Sequence, residues 1–191
     1  MPATTLLTPR GGKTARRLHA AAQLLEFYYP VHYRVGMALE NVLCGGRLTR
    51  MQVAILWLIR SEGEQGELSR KTIERWICGW FEANSSAVTK SLQAMARPPL
   101  GLVRVLEHPH SGRERQVMLT PKGARHLETM VERGQKFVQK ITDRLAAREI
   151  TSGIKFLRRS TGVLDGMREQ GVANRPSRRL IRRNKPIVPF P

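Results

Sequence analysis

Residues 84–123 place a short helix, a basic hairpin and the start of another helix in direct succession. Between Asn84 and Arg97, apolar residues repeat at steps of four and three, which predicts a helix with one buried face. Runs of β-prone residues at 103–107 and 115–119 flank a turn at 108–112, as expected for a hairpin. This order is typical of a winged helix-turn-helix.

Capping residues mark the starts of the helices around this unit. Thr49 with Gln52 has the spacing of a capping box, and Ser69 is a suitable N-cap for a helix that runs past Trp76. Gly79 is expected to interrupt that helix. Thr120, followed by proline, predicts the start of a long helix directly after the hairpin.

Two long helical regions with seven-residue apolar repeats flank the unit. The first spans about Thr14 to Leu43 and contains Pro30, which should kink or split it. The second begins at residue 121 and is followed by a helical stretch at 149–167. Alternating steps of three and four are those of a coiled-coil seam. One chain offers few partners for two such seams, so we expect a homodimer.

The predicted fold is mainly α with a small β-wing, a winged helix-turn-helix with long N- and C-terminal dimerisation helices. The chain carries a net charge of +18, which points to a polyanionic partner, nucleic acid before an acidic membrane. Both ends are basic and lack acids, so we expect them to be disordered. The predicted parts are a basic arm (1–13), one domain (14–171) with a dimerisation helix (14–46), a winged-helix lobe (47–123) and dimerisation helices (124–171), and a basic tail (172–191).

The helix at 84–97 carries polar residues on the face opposite its apolar stripe. Such a face is often simply solvated, but the hairpin that follows favours insertion into the major groove of DNA. There Gln93 could pair with adenine, and Lys90 could reach guanine or phosphate. The candidate reading residues are Asn84, Ser85, Ser86, Thr89, Lys90 and Gln93.

The hairpin and the preceding helix supply further candidate contacts. Arg113 at the hairpin tip could enter a narrow A·T-rich minor groove, with Arg115, His110 and Ser111 beside it; a solvated hairpin is the alternative. Arg70 and Lys71, at the start of a helix, are predicted to contact phosphates rather than bases.

The residues argue against catalysis and metal binding. No glycine-rich phosphate loop or nucleophile–base set is present, so an enzyme is not expected, and neither is a cofactor. His108-Pro109-His110 is a poor metal site because no carboxylate or cysteine lies within a few positions. Cys44 and Cys78 form no disulfide framework and are more typical of small buried apolar residues, although redox activity stays open. We expect a cytoplasmic, nucleoid-associated protein without a membrane partner.

Several segments resemble the MarR/SlyA regulators. The stretch Leu48–Leu56 resembles their "LTxxQxxvL" segment, Ser86–Lys90 the start of their recognition helix, and Gly101–Val103 the beginning of their wing. Ser111–Arg113 and the Leu-Thr-x-x-Gly that begins at Leu119 resemble the wing and its end. The resemblance spans about residues 15–168. It implies a bacterial homodimer that binds palindromic operators, most often as a repressor, and in many members releases DNA on binding a phenolic ligand.

Two consequences of the resemblance concern particular residues. A small aromatic effector would be lined by Tyr28, Tyr29, His32, Tyr33 and Trp57, with plain packing as the alternative. Residues 78–83 make the turn before the recognition helix longer than is usual in the family, which implies a different angle for that helix.

Two functions remain after this reasoning. The first is a sequence-specific transcriptional regulator that presents two recognition helices to half-sites about one helical turn apart. The alternative is an architectural nucleic-acid-binding protein that uses the same fold with weak sequence preference.

Overall fold

The computed structural model describes residues 12–108 and 111–169 of the 191-residue chain. Within these ranges, side chains are described except at 108, 111–114, 168 and 169. The predicted tail at 172–191, nearly all of the predicted arm, and His110 lie outside the described residues. The elements are α1 (Lys13–Tyr29), a π-helical segment (Pro30–Gly36), α2 (Met37–Cys44), α3 (Arg50–Glu62), β1 (Glu67–Ser69), α4 (Arg70–Phe81), α5 (Ser85–Ala96), β2 (Val103–His108), β3 (Ser111–Leu119), α6 (Pro121–Thr142) and α7 (Ala147–Glu169).

The N-terminal helical region is interrupted at Pro30, as predicted. Proline has no backbone N–H to donate to the preceding turn, and the chain answers with a π-helical segment at Pro30–Gly36. Helix α2 resumes regular α geometry and ends where Gly45 adopts a left-handed φ of +56°, the usual helix stop.

All four helix starts of the winged-helix lobe have a side-chain cap. In the capping box, the Thr49 N–H donates to Gln52 Oε1 at 2.9 Å, and the Gln52 N–H donates to Thr49 Oγ1 at 3.3 Å. Ser69 accepts from the Thr72 N–H, Asn84 from Ala87 and Thr120 from Gly123. The predicted caps at Thr49, Ser69 and Thr120 are therefore confirmed.

Two predictions about α4 and its surroundings are wrong. Gly79 does not interrupt α4, which continues to Phe81 and ends where Glu82 takes a left-handed φ of 50°. The turn before α5 is consequently short, contrary to the predicted longer turn. The expected loop at 62–67 also runs into a strand, β1, which pairs with β3.

The wing is a three-stranded antiparallel sheet in the order β1-β3-β2. Val103 lies opposite Leu119, and Val105 opposite Val117. Val103 and Val117 are fully buried, in agreement with the predicted inward face. Strand β3 already begins at Ser111, so the turn is shorter than the predicted 108–112.

The hydrophobic core lies inside the winged-helix lobe and is mainly aliphatic. Its fully buried members include Ile55, Leu56, Ile73, Ile77, Val88, Met95, Leu102, Val117 and Met130. Trp76 and Phe81 pack against this core, but Trp80 is 48% exposed, so its predicted core position is wrong. No helix among residues 12–108 and 111–169 is both long and apolar enough to cross a membrane.

Candidate nucleic-acid interface

Helix α5 presents a polar face away from the core. Val88, Leu92 and Met95 are buried under the helix, while Ser85, Ser86, Lys90 and Gln93 are exposed on its other side. Asn84 is exposed too, but its Oδ1 accepts from the Ala87 N–H at 2.9 Å. Since this oxygen caps the helix, four exposed side chains of the predicted reading set are without such a structural role.

Thr89, the sixth predicted reading residue, is bonded inside the protein. Its hydroxyl donates to the Ser85 carbonyl at 2.8 Å and accepts from Arg70 Nη2 at 2.9 Å. Arg70 Nη2 also lies 3.7 Å from Glu74 Oε2. Lys71, the neighbouring residue, is exposed. The two predicted phosphate contacts therefore occupy different environments.

The wing is tied to α5 and α6 by backbone and side-chain hydrogen bonds. The Leu102 N–H donates to the Met95 carbonyl at the end of α5 at 2.7 Å, and the Thr120 N–H donates to the Leu102 carbonyl at 3.0 Å. The Thr120 hydroxyl donates to the Gly101 carbonyl at 2.8 Å. The position of the wing relative to the helix is thus set by the polypeptide backbone.

The described part of the wing is basic on its outer side. Arg104 and Arg115 are exposed on neighbouring strands, and Arg115 is paired in register with Glu107. The side chains of Ser111 and Arg113 and the whole of His110, all predicted wing contacts, are outside the described residues.

The five residues predicted to line an effector pocket lie on the surface of the single chain. Tyr28 stacks on His32 with ring centroids 5.6 Å apart, and Tyr29 stacks on Tyr33 at 5.4 Å. Both pairs are exposed. Trp57 on α3 is 43% exposed, with the Arg60 guanidinium 5.5 Å from its ring centroid. These side chains need a further surface opposite them to enclose a ligand.

Both cysteines are free thiols in partly buried positions. Burial raises the pKa of Cys44, which the Arg50 charge lowers and the Glu40 charge raises. Burial also raises the pKa of Cys78, and the Glu74 charge adds to the rise. A raised thiol pKa disfavours the reactive thiolate, which agrees with the apolar role expected for both residues. Among the described residues, no group of three or more His, Cys, Asp or Glu side chains could hold a metal ion.

His126 on α6 lies in a cationic environment beneath the lobe. Burial lowers its pKa, and the charges of Arg133, Arg47 and Lys122 lower the pKa further. Its Nε2 atom is buried without a hydrogen-bond partner. The folded protein therefore favours the neutral imidazole.

We expect acid to destabilise the protein partly through His126. The unfolded chain has the ordinary histidine pKa of 6.5 and binds a proton more readily than the folded chain, so stability falls as pH drops below that value. Urea unfolding of wild type and His126→Gln between pH 7.5 and 5 should show a smaller loss for the variant. His19→Gln, on a helix without buried residues, is the control. Parallel losses in wild type and His126→Gln would contradict the assignment.

Residues 48–123 match the family model of a winged helix DNA-binding domain. The lobe is a winged helix DNA-binding domain. No curated protein sequence matches the chain significantly. Among solved structures, wild-type MarR from E. coli in its apo form is 21% identical, with a TM-score of 0.55 over 82% of this chain and 98% of that chain.

Structures determined with DNA show the same likeness to this winged helix DNA-binding domain and its flanking helices. A mutant of E. coli MarR complexed with operator DNA is 21% identical, with a TM-score of 0.54 over 78% of this chain and 99% of that one. Sco3205, a MarR family transcriptional regulator from Streptomyces coelicolor in complex with DNA, is 16% identical, with a TM-score of 0.51 over 81% and 90%.

A third protein of this kind is BpsR from Bordetella bronchiseptica, studied for the regulation of its DNA binding by 6-hydroxynicotinic acid. It is 19% identical, with a TM-score of 0.50 over 81% of this chain and 97% of that one. The chain therefore has the fold of MarR-family transcriptional regulators, including the long helices outside the winged helix DNA-binding domain. The resemblance drawn from the sequence motifs is confirmed.

Proposed function

We propose that the protein is a sequence-specific transcriptional regulator that binds a palindromic operator in double-stranded DNA as a homodimer, most simply as a repressor at the nucleoid. One observation carries this proposal: within a winged helix DNA-binding domain, α5 exposes Ser85, Ser86, Lys90 and Gln93 over a fully packed apolar face. Lysine and glutamine side chains can form paired hydrogen bonds to base edges in the major groove.

The long flanking helices support the homodimer. No residue of α1 is buried, and Leu18 and Leu25 are 75% and 70% exposed. On α7, an open groove is lined by Phe156, Val163, Leu164 and Met167, with Lys155 and Arg159 at its edges. Monomeric proteins rarely expose apolar surfaces of this extent. A second copy that supplies the same two helices would cover both surfaces.

We further propose that a small aromatic ligand regulates DNA binding from the surface that carries Tyr28, Tyr29, His32, Tyr33 and Trp57. The stacked ring pairs at Tyr28–His32 and Tyr29–Tyr33 offer flat faces to an aromatic ring. In the homodimer, the partner would provide the opposite wall. Release of a bound operator duplex by hydroxylated aromatic acids, lost in a Tyr29→Ala variant, would support this regulation; unchanged binding would contradict it.

Selection of bound duplexes from a random pool at 150 mM salt tests the proposed function. We expect enrichment of an inverted repeat with half-sites about one helical turn apart. Absence of enrichment, together with affinity that collapses as salt rises, would instead favour an architectural protein that binds through phosphate contacts. The net charge of +18 makes that alternative worth testing explicitly.

Replacement of Gln93 by alanine should reduce sequence preference without weakening general DNA binding. Because Gln93 is exposed on α5 and can make a paired contact with adenine, we expect a loss of about 1–3 kcal/mol on the selected duplex only. Affinity for a scrambled duplex should stay the same. Fluorescence anisotropy with both duplexes measures this, and Gln135→Ala on α6 is the control. Equal loss on both duplexes would show that Gln93 does not read bases.

A further inference from the structure

Arg70, the first residue of α4, connects three elements of the interface. It follows Ser69, which pairs in the wing sheet with Gln116 of β3. Its Nη2 atom donates to the Thr89 hydroxyl of α5 at 2.9 Å and lies 3.7 Å from the Glu74 carboxylate. Only 29% of the Arg70 side chain is exposed. The guanidinium is therefore held between two helices at the point where the wing sheet meets α4.

We propose that Arg70 is a positioning residue that fixes the first turns of α5 against α4, and that it thereby contributes to sequence preference rather than to phosphate binding. This inference rests on the proposed function, because it assigns a part in DNA reading to a residue behind the reading surface. It replaces the phosphate contact expected for Arg70, whereas the expectation for Lys71 stands as a prediction.

The bonding of Thr89 supports this role. A threonine hydroxyl has one hydrogen to donate, and Thr89 donates it to the Ser85 carbonyl one turn earlier at 2.8 Å. The Arg70 guanidinium occupies an acceptor position of the same oxygen. Thr89 therefore has no hydrogen left for a base, and its hydroxyl serves to join α4 to the first turns of α5.

The charge of Arg70 supports the same conclusion. Phosphate contacts release counterions from DNA, and the salt dependence of binding reports how many protein charges do so. Glu74 already lies beside Arg70 in the protein, so the pair adds little net positive charge to the surface. Lys71 is exposed on the adjacent position of α4 and provides a matched comparison.

Four variants separate positioning from phosphate binding: Arg70→Ala, Thr89→Val, the double variant and Lys71→Ala. Affinity is measured for the selected duplex and a scrambled duplex across a salt series. We expect Arg70→Ala and Thr89→Val each to weaken the selected duplex about tenfold, as befits loss of a hydrogen bond to a charged group, and the double variant to weaken it no further. Their salt slopes should equal that of wild type, whereas Lys71→Ala should reduce the slope by about 0.9 on both duplexes.

Arg70→Ala would overturn the proposal if it reduced the salt slope by about 0.9, weakened both duplexes equally and added fully to Thr89→Val. Hydrogen exchange of the free protein tests positioning without DNA. The backbone amides of Thr89 and Lys90 should exchange several-fold faster in Arg70→Ala and in Thr89→Val than in wild type. Unchanged exchange in both variants would refute positioning. A wild type without sequence preference but with this exchange result would refute the proposed function alone.

Discussion

Replacing Gly123 with alanine should destabilise the protein by about 3–5 kcal/mol, the range of the most severe single substitutions. Gly123 is buried in the first turn of α6, and a Cβ atom there would lie 1.9 Å from the Leu102 carbonyl oxygen. That oxygen belongs to the backbone and accepts from the Thr120 N–H at 3.0 Å. It cannot move aside without breaking the connection between α5, the wing and α6.

Urea unfolding followed by circular dichroism measures this effect, and Gly153→Ala provides a matched control. Gly153 lies in the middle of α7, where a Cβ atom would have no neighbour within 4 Å. Alanine is favoured over glycine in a helix by about 0.5–1 kcal/mol, so the control should be as stable as wild type or more stable. A loss below about 1 kcal/mol in Gly123→Ala would show that α6 can shift away from Leu102.

The second large effect is expected from Leu157→Asp in α7. Leu157 is 63% exposed in the single chain, so a charge there should leave the winged-helix lobe folded. In the proposed homodimer the same residue is covered by the partner. Burying an unpaired carboxylate is strongly unfavourable, and we expect the dimer dissociation constant to rise at least about a hundredfold, the effect of losing an interface hot spot.

Light scattering at micromolar concentration measures the mass of the particle, and anisotropy measures its affinity for the selected duplex. Wild type should be a dimer and Leu157→Asp a monomer with weakened operator binding, since each half-site is then bound independently. Trp80→Asp, at a 48% exposed position on the lobe, should stay dimeric. A monomeric wild type would refute the proposed assembly, and a dimeric Leu157→Asp would place α7 outside the interface.

The parts of the fold that depend on local chemistry could be predicted from the sequence. Capping residues at Thr49, Ser69 and Thr120 act within three residues of their position, and the apolar repeat of α5 shows which side faces the core. The wing strands follow from alternation, since Val103 and Val117 are buried and Arg104 is exposed. The whole winged-helix unit is readable because each signal is short in range.

What could not be predicted depends on contacts between distant segments. Strand β1 has three residues and exists because it pairs with β3, almost fifty positions later. Gly79 is tolerated because the rest of α4 packs on the core through Ile73 and Ile77, which outweighs the weak helix propensity of glycine.

The part of Arg70 in the candidate site was hidden for the same reason. Its partner Thr89 lies nineteen positions away on another helix, and in the sequence both residues look like polar surface positions. The exposed residues of α5 were predictable because they alternate with a core face, whereas the side chains that hold the helix in place were not.

The π-helical segment at Pro30–Gly36 has a consequence for how one rod can serve two surfaces. A π turn contains more residues than an α turn, so the segment rotates the phase of the side chains that follow it. Beyond it, Leu43 of α2 lies against Gly134 of α6 within the same chain; before it, the apolar residues of α1 face outward. The segment works as a phase adapter, which lets the sequences on either side of it diverge independently while the backbone stays continuous.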